Sequence, residues 1–154
     1  MSSNKKFLRL FLSLLILLWA GFIFSNSLEN GAASAETSAK FIRFFCSRLM
    51  EDPKTAALAQ FYVRNAAHFF EFFLLGILFY ILFSGMKHPE IPAFFLTVTA
   101  AFMDEGLQLL SDRQSTLEDV AIDSCGAAVG ILLMILIFRG IRKRKARKGT
   151  CKQP

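Results

Sequence analysis

Hydrophobic positions along the chain fall into four long runs separated by polar connections. Residues 7–24 are almost unbroken apolar sequence, close to the ~20 residues that cross a bilayer core, and Lys5, Lys6 and Arg9 stand at their start. A second run covers 65–83 and a third covers 91–110, with the turn 84–90 (Ser-Gly-Met-Lys-His-Pro-Glu) placing them antiparallel. A fourth runs from before Asp119 to about Phe138. The pattern predicts an all-α membrane protein of four transmembrane helices. Ala33-Ser34-Ala35 resembles a signal-peptide cleavage site, but it lies well past the first apolar core, so that run is read as a retained span.

Between the first two runs the period changes. Phe41, Ile42, Phe45 and Leu49 make an apolar helical stripe opposite Lys40, Arg43, Ser47 and Arg48, as expected of a helix lying in the headgroup region. Asp52-Pro53 then reads as the N-cap and first position of another helix, one that continues into the second span. Ser115-Thr116-Leu117-Glu118 fits a capping box that starts the fourth helix.

Composition agrees: 54% of residues are hydrophobic and mean hydropathy is +0.45, well above a soluble domain. The net charge of +6 does not point to nucleic acid, because its basic residues concentrate after the fourth span in 139–152. The expected organisation is a membrane domain, 1–138, and a basic cytoplasmic tail, 139–154. Basic residues at both ends and a charge-balanced first loop place both termini in the cytoplasm of a plasma-membrane protein. Cys46, Cys125 and Cys151 lie in three different environments, which excludes a disulfide framework.

Ionisable residues inside the spans change the picture most. Arg64, His68 and Glu71 share one face of the second span. Asp104 and Glu105, with Gln108, interrupt the third, and two adjacent acids at a helix centre would cost on the order of 5 kcal/mol if insertion penalties added. Asp119 and Asp123 are four apart on the fourth, and Arg113 stands in the connection before it. At ~1.5 Å per residue, Glu71 lies roughly 10 Å below Arg64, Asp104 about 9 Å below Leu110 and Asp123 about 6 Å below Asp119. With the termini inside, these nine residues converge at one depth beneath the outer surface. Gly126 and Gly130 add a small-residue face for close helix approach.

Three readings of the cluster stay open. It can be a structural network that fixes helix register. It can bind a lipid-linked or amphiphilic envelope molecule, with Arg64 and Arg113 suited to phosphate. It can be an enzyme, in which His68, Glu71, Asp104 and Asp123 hold a divalent metal or do acid/base chemistry. Five carboxylates, Glu71, Asp104, Glu105, Asp119 and Asp123, outnumber the two arginines and one histidine, so neutrality needs protons, a metal or a cationic ligand. The sequence requires no cofactor, and a divalent metal is the candidate it admits. No Gly-x-Ser-x-Gly elbow is present to suggest a serine hydrolase.

The same residues resemble the VanZ-like family. Arg64, Ala67, His68, Phe69, Glu71 and Phe72 match its second-span pattern. Asp104, Glu105 and Gln108 match Asp-Glu-x-x-Gln in span three, and Arg113, Asp119, Val120, Asp123, Gly126 and Gly130 match the block that follows. The family's serine-rich segment after the first span is similar to Ser25, Ser27, Ser34 and Ser38, with Asn26 nearby and the usual Gln-Pro absent. The resemblance implies an envelope-linked role, since the founding member is associated with reduced susceptibility to teicoplanin, a lipoglycopeptide that binds cell-wall precursors. The expected partners are membrane lipids and an envelope precursor or lipoglycopeptide, with a homodimer through Gly126 and Gly130 left open.

Overall fold

The computed structural model describes residues 3–29, 31–111 and 117–150. They form five helices: α1 (Ser3–Ser27), α2 (Gly31–Cys46), α3 (Pro53–Phe83), α4 (Glu90–Leu110) and α5 (Leu117–Thr150), with a short 3-10 helix at Ser47–Met50. Four of them, all but α2, are long and apolar enough to cross a bilayer. The chain is a multi-pass membrane protein. Large side chains such as Phe7, Leu17, Phe95 and Leu132 are exposed, the arrangement suited to contact with acyl chains.

The start of α3 forms as its sequence predicts. Asp52 is extended, and its carboxylate accepts from the Thr55 backbone N–H at 2.9 Å, while Pro53 takes the first helical position, where a missing N–H costs nothing. With no breaker before Ser84, α3 runs for 31 residues, about 46 Å, and so projects beyond one side of a ~30 Å hydrocarbon core. That projection lets α2 pack beside it.

The predicted apolar stripe divides: on α2 Ile42 is buried in the bundle whereas Phe41 and Phe45 stay exposed, and Leu49, also exposed, falls in the 3-10 helix beyond it. Glu36 and Lys40 pair at 2.8 Å on the polar face.

α5 differs from expectation in length. The helix does not stop at the end of the apolar run but continues to Thr150 through the basic residues. Arg, Lys and Ala are strong helix formers, so a charged tail that reads as a separate segment by polarity prolongs the helix instead. The expected capping box, Ser115 to Glu118, and Arg113 lie in a stretch outside the described residues apart from Leu117 and Glu118.

Helices α3 and α5 make the most extensive contact in the bundle. Its cause is Gly126 and Gly130: a Cβ on the first would collide with the Phe69 carbonyl, and on the second with the Phe73 carbonyl. The small-residue face is thus packed against α3 of the same chain. An apolar core of Ile16, Ile23, Phe72, Leu75, Ala101 and Val120 ties α1, α3, α4 and α5 together. The polar residues of those helices gather at the end of the bundle where α1 and α4 finish and α5 begins.

Candidate functional site

One turn separates Arg64 from His68 on α3, and another separates Gln108 from Asp104 on α4, so the facing helices present two tiers of polar groups. In the tier nearer the helix ends, Arg64 Nη2 donates to Gln108 Oε1 at 3.1 Å and stands 3.8 Å from Asp119 Oδ2. In the deeper tier, His68 Nδ1 lies 3.8 Å from Asp104 Oδ2 and 3.6 Å from Asp123 Oδ1. Gln108 joins the two, because its Nε2 donates to Asp104 Oδ2 at 2.9 Å and to Glu105 Oε1 at 3.3 Å.

Burial is steep. Asp104, Gln108 and Asp123 have no exposed surface, and Glu105 and His68 are also buried, whereas Arg64 is about a third exposed by side chain. Asp123 forms no hydrogen bond through either carboxylate oxygen among the described residues, and Arg64 Nε is likewise buried without an acceptor. Burying a charged oxygen away from donors is costly, so this carboxylate is neutralised by a proton or by a counter-ion.

Of the nine residues expected to converge, the structure brings together Arg64, His68, Asp104, Glu105, Gln108, Asp119 and Asp123. Arg113 lies outside the described residues. Glu71 sits to one side: its Oε1 accepts from Asn26 Nδ2 at 3.1 Å, and its backbone carbonyl accepts from the Trp19 indole at 3.0 Å. The compact metal-capable group is therefore His68, Asp104 and Asp123, whose ligand atoms lie within 4.8 Å of one another, and Glu71 is not one of its members.

Two residues of α1 complete the cluster without having been singled out as site residues. Ser27 Oγ donates to Asp104 Oδ1 at 2.5 Å, and Asn26 holds Glu71. Ser111 Oγ in turn donates to the Ser27 carbonyl at 2.9 Å, fixing the end of α1 against the end of α4. The available signal was the step from apolar run to Ser25-Asn26-Ser27.

Beside the cluster is a cavity of about 320 Å³, walled by Phe22, Asn26, Ser27, Glu29, Ser34, Thr37, Ser38, Arg64, Ala67, His68 and Glu71. Three of the four serines in the segment after span one, Ser27, Ser34 and Ser38, face it. Ser25 instead bonds back to the Gly21 carbonyl. An apolar groove of about 400 Å³ between α2 and α3 adjoins the cavity, lined by Thr37, Ser38, Phe41, Val63, Ala66, Ala67 and Phe70. Cys46 and Cys125 are exposed free thiols that take no part.

A family model described as VanZ/LLP1 matches residues 11–139, which include every described residue of the cluster. No curated protein and no solved structure matches the chain.

Proposed function

Because the chain belongs to the VanZ/LLP1 family, whose pattern falls on these cluster positions, we propose that it binds an amphiphilic component of the cell envelope at the junction of cavity and groove. The carrying observation is that the two share Thr37, Ser38 and Ala67, so one molecule can place a polar head beside Arg64 and an acyl or other apolar chain along Phe41, Val63 and Phe70. Burial of a chain in such a groove contributes roughly 0.8 kcal/mol per methylene, which favours an amphiphile over a wholly polar ligand.

Arg64 sets the head-group chemistry. Its Nη2 is engaged by Gln108, but about a third of the side chain stays exposed and Arg64 lines the cavity, leaving part of the guanidinium for an incoming oxygen. Guanidinium binds phosphate in a bidentate manner, and the serines, Thr37 and Asn26 can hydrogen-bond sugar or peptide groups. Lipid-linked cell-wall precursors have this build, and teicoplanin-type lipoglycopeptides share its sugar, peptide and acyl parts. The charge pattern of the chain orients the cavity to the outer face, where binding either one lowers susceptibility to the antibiotic.

Native mass spectrometry of protein extracted directly into membrane discs tests this reading. Wild type carries a phosphate-bearing or glycosylated amphiphile, and Arg64→Gln, which keeps a hydrogen-bonding side chain but no fork, loses most of it. An identical lipid complement on the two proteins contradicts the assignment.

A further inference from the structure

We infer that His68, Asp104 and Asp123 form a binding site for one divalent transition-metal cation, set deeper in the bundle than the amphiphile head group. The three side chains come from α3, α4 and α5, are all buried, and bring one ligand atom each to within 4.8 Å of the others.

Two observations point to a cation rather than to a closed ion-pair network. Asp123 is fully buried, yet neither of its oxygens accepts a hydrogen bond among the described residues. Nor does any described lysine or arginine lie within ion-pair distance of Asp104 or Asp123, because Arg64 is directed to Gln108 and Asp119. Two buried carboxylates thus face one imidazole, and a +2 ion supplies the missing charge.

The geometry suits the ion. Ligands 2.0–2.2 Å from a tetrahedral metal stand roughly 3.3–3.5 Å from one another. His68 Nδ1 is 3.6 Å from Asp123 Oδ1 and 3.8 Å from Asp104 Oδ2, so these two edges contract by a few tenths of an ångström on binding, while the two carboxylates, within 4.8 Å, draw together on the ion. Asp104 is already oriented for this task, since Ser27 holds its Oδ1 and Gln108 its Oδ2. Such outer-shell hydrogen bonds fix ligating carboxylates. One imidazole and two carboxylates favour Zn²⁺ or Mn²⁺ over Mg²⁺ and Ca²⁺, which prefer all-oxygen sets. Three protein ligands also leave coordination positions for an outside group, and His68 itself lines the cavity.

The test reads metal and not lipid, so it stands or falls apart from the amphiphile reading. Protein purified from metal-replete cells is analysed by inductively coupled plasma mass spectrometry, then stripped with chelator and titrated with Zn²⁺, Mn²⁺ or Mg²⁺ while its thermal unfolding is followed. Wild type should carry close to one equivalent, and the stripped protein should regain melting temperature with Zn²⁺ or Mn²⁺ but not Mg²⁺. Asp123→Asn, nearly isosteric, and His68→Gln, which removes the imidazole ligand without altering negative charge, should each lose the metal and the shift. Glu71→Gln should keep both, and Ser27→Ala should weaken binding roughly 10- to 100-fold. Metal-free wild type that does not respond to Zn²⁺ or Mn²⁺ overturns the inference, as does an Asp123→Asn or His68→Gln protein that binds like wild type.

Discussion

Ser27 and Asp104 are 77 residues apart in sequence, yet the hydroxyl at the last turn of α1 donates to the fully buried carboxylate of α4 at 2.5 Å. Together with the bond from Asn26 to Glu71, this contact makes the first span part of the polar cluster rather than a separate anchor. Removing the hydroxyl leaves Asp104 Oδ1 buried without that donor, a loss of about 1–3 kcal/mol for a charged acceptor. Thermal unfolding of Ser27→Ala in detergent should show a clearly lowered midpoint, while Ser25→Ala, whose hydroxyl only bonds its own helix, should unfold like wild type. Equal midpoints for all three proteins would show that this bond does not hold α1 to the site.

The approach of α5 to α3 depends on two missing side chains. Gly126→Val places Cβ and its methyls against the Phe69 backbone, which cannot move as a flexible side chain would, and should destabilise the bundle by at least the 1–3 kcal/mol typical of overpacking. Gly140 has no neighbour within 4 Å of a would-be Cβ, so Gly140→Ala should be neutral or stabilise the long helix by up to about 1 kcal/mol. Fluorescence-detected thermal scans should therefore show a lowered midpoint for Gly126→Val and an unchanged or raised one for Gly140→Ala. A Gly126→Val protein as stable as the parent would show that the helices do not approach through this face.

Orientation follows from charge. An impermeant thiol reagent applied to intact cells should modify the exposed Cys46 at the end of α2 and spare Cys151 in the basic tail. Labelling of Cys151 with Cys46 protected would turn the cavity toward the cytoplasm and remove envelope components of the outer face as its ligands.

The four spans were legible because apolar runs of bilayer length have few other uses. The cluster was legible because ionisable residues stand out in such runs: Arg64, His68, Asp104 and Asp123 announce themselves by cost alone. Ser27 and Asn26 carry no charge, incur little penalty at a span end, and so gave no comparable sign of their partners. The role of α2 as a cavity wall was hidden for a related reason, since an amphipathic stripe specifies an apolar neighbour without saying whether that neighbour is lipid or protein. Glu71 shares a face with His68, but spacing along α3 does not determine which helix each side chain meets, and α1 captures it through Asn26. The glycines predicted close packing and not its partner, which proved to be α3.

The central claim is that the polar cluster and its cavity form a ligand site and not merely a staple between helices. The measurement that bears on it most directly is antibiotic susceptibility, together with the co-purifying lipid complement, of cells carrying His68→Leu/Glu71→Leu at membrane abundance matched to the parent. α3 only becomes more hydrophobic, so the variant should insert; because the imidazole facing Asp104 and Asp123 is removed, the comparison at matched abundance keeps any destabilisation out of the readout. The account predicts that it loses both the bound amphiphile and any change in teicoplanin-type susceptibility that the parent confers. Both retained at equal abundance would contradict it and leave the cluster as a structural network.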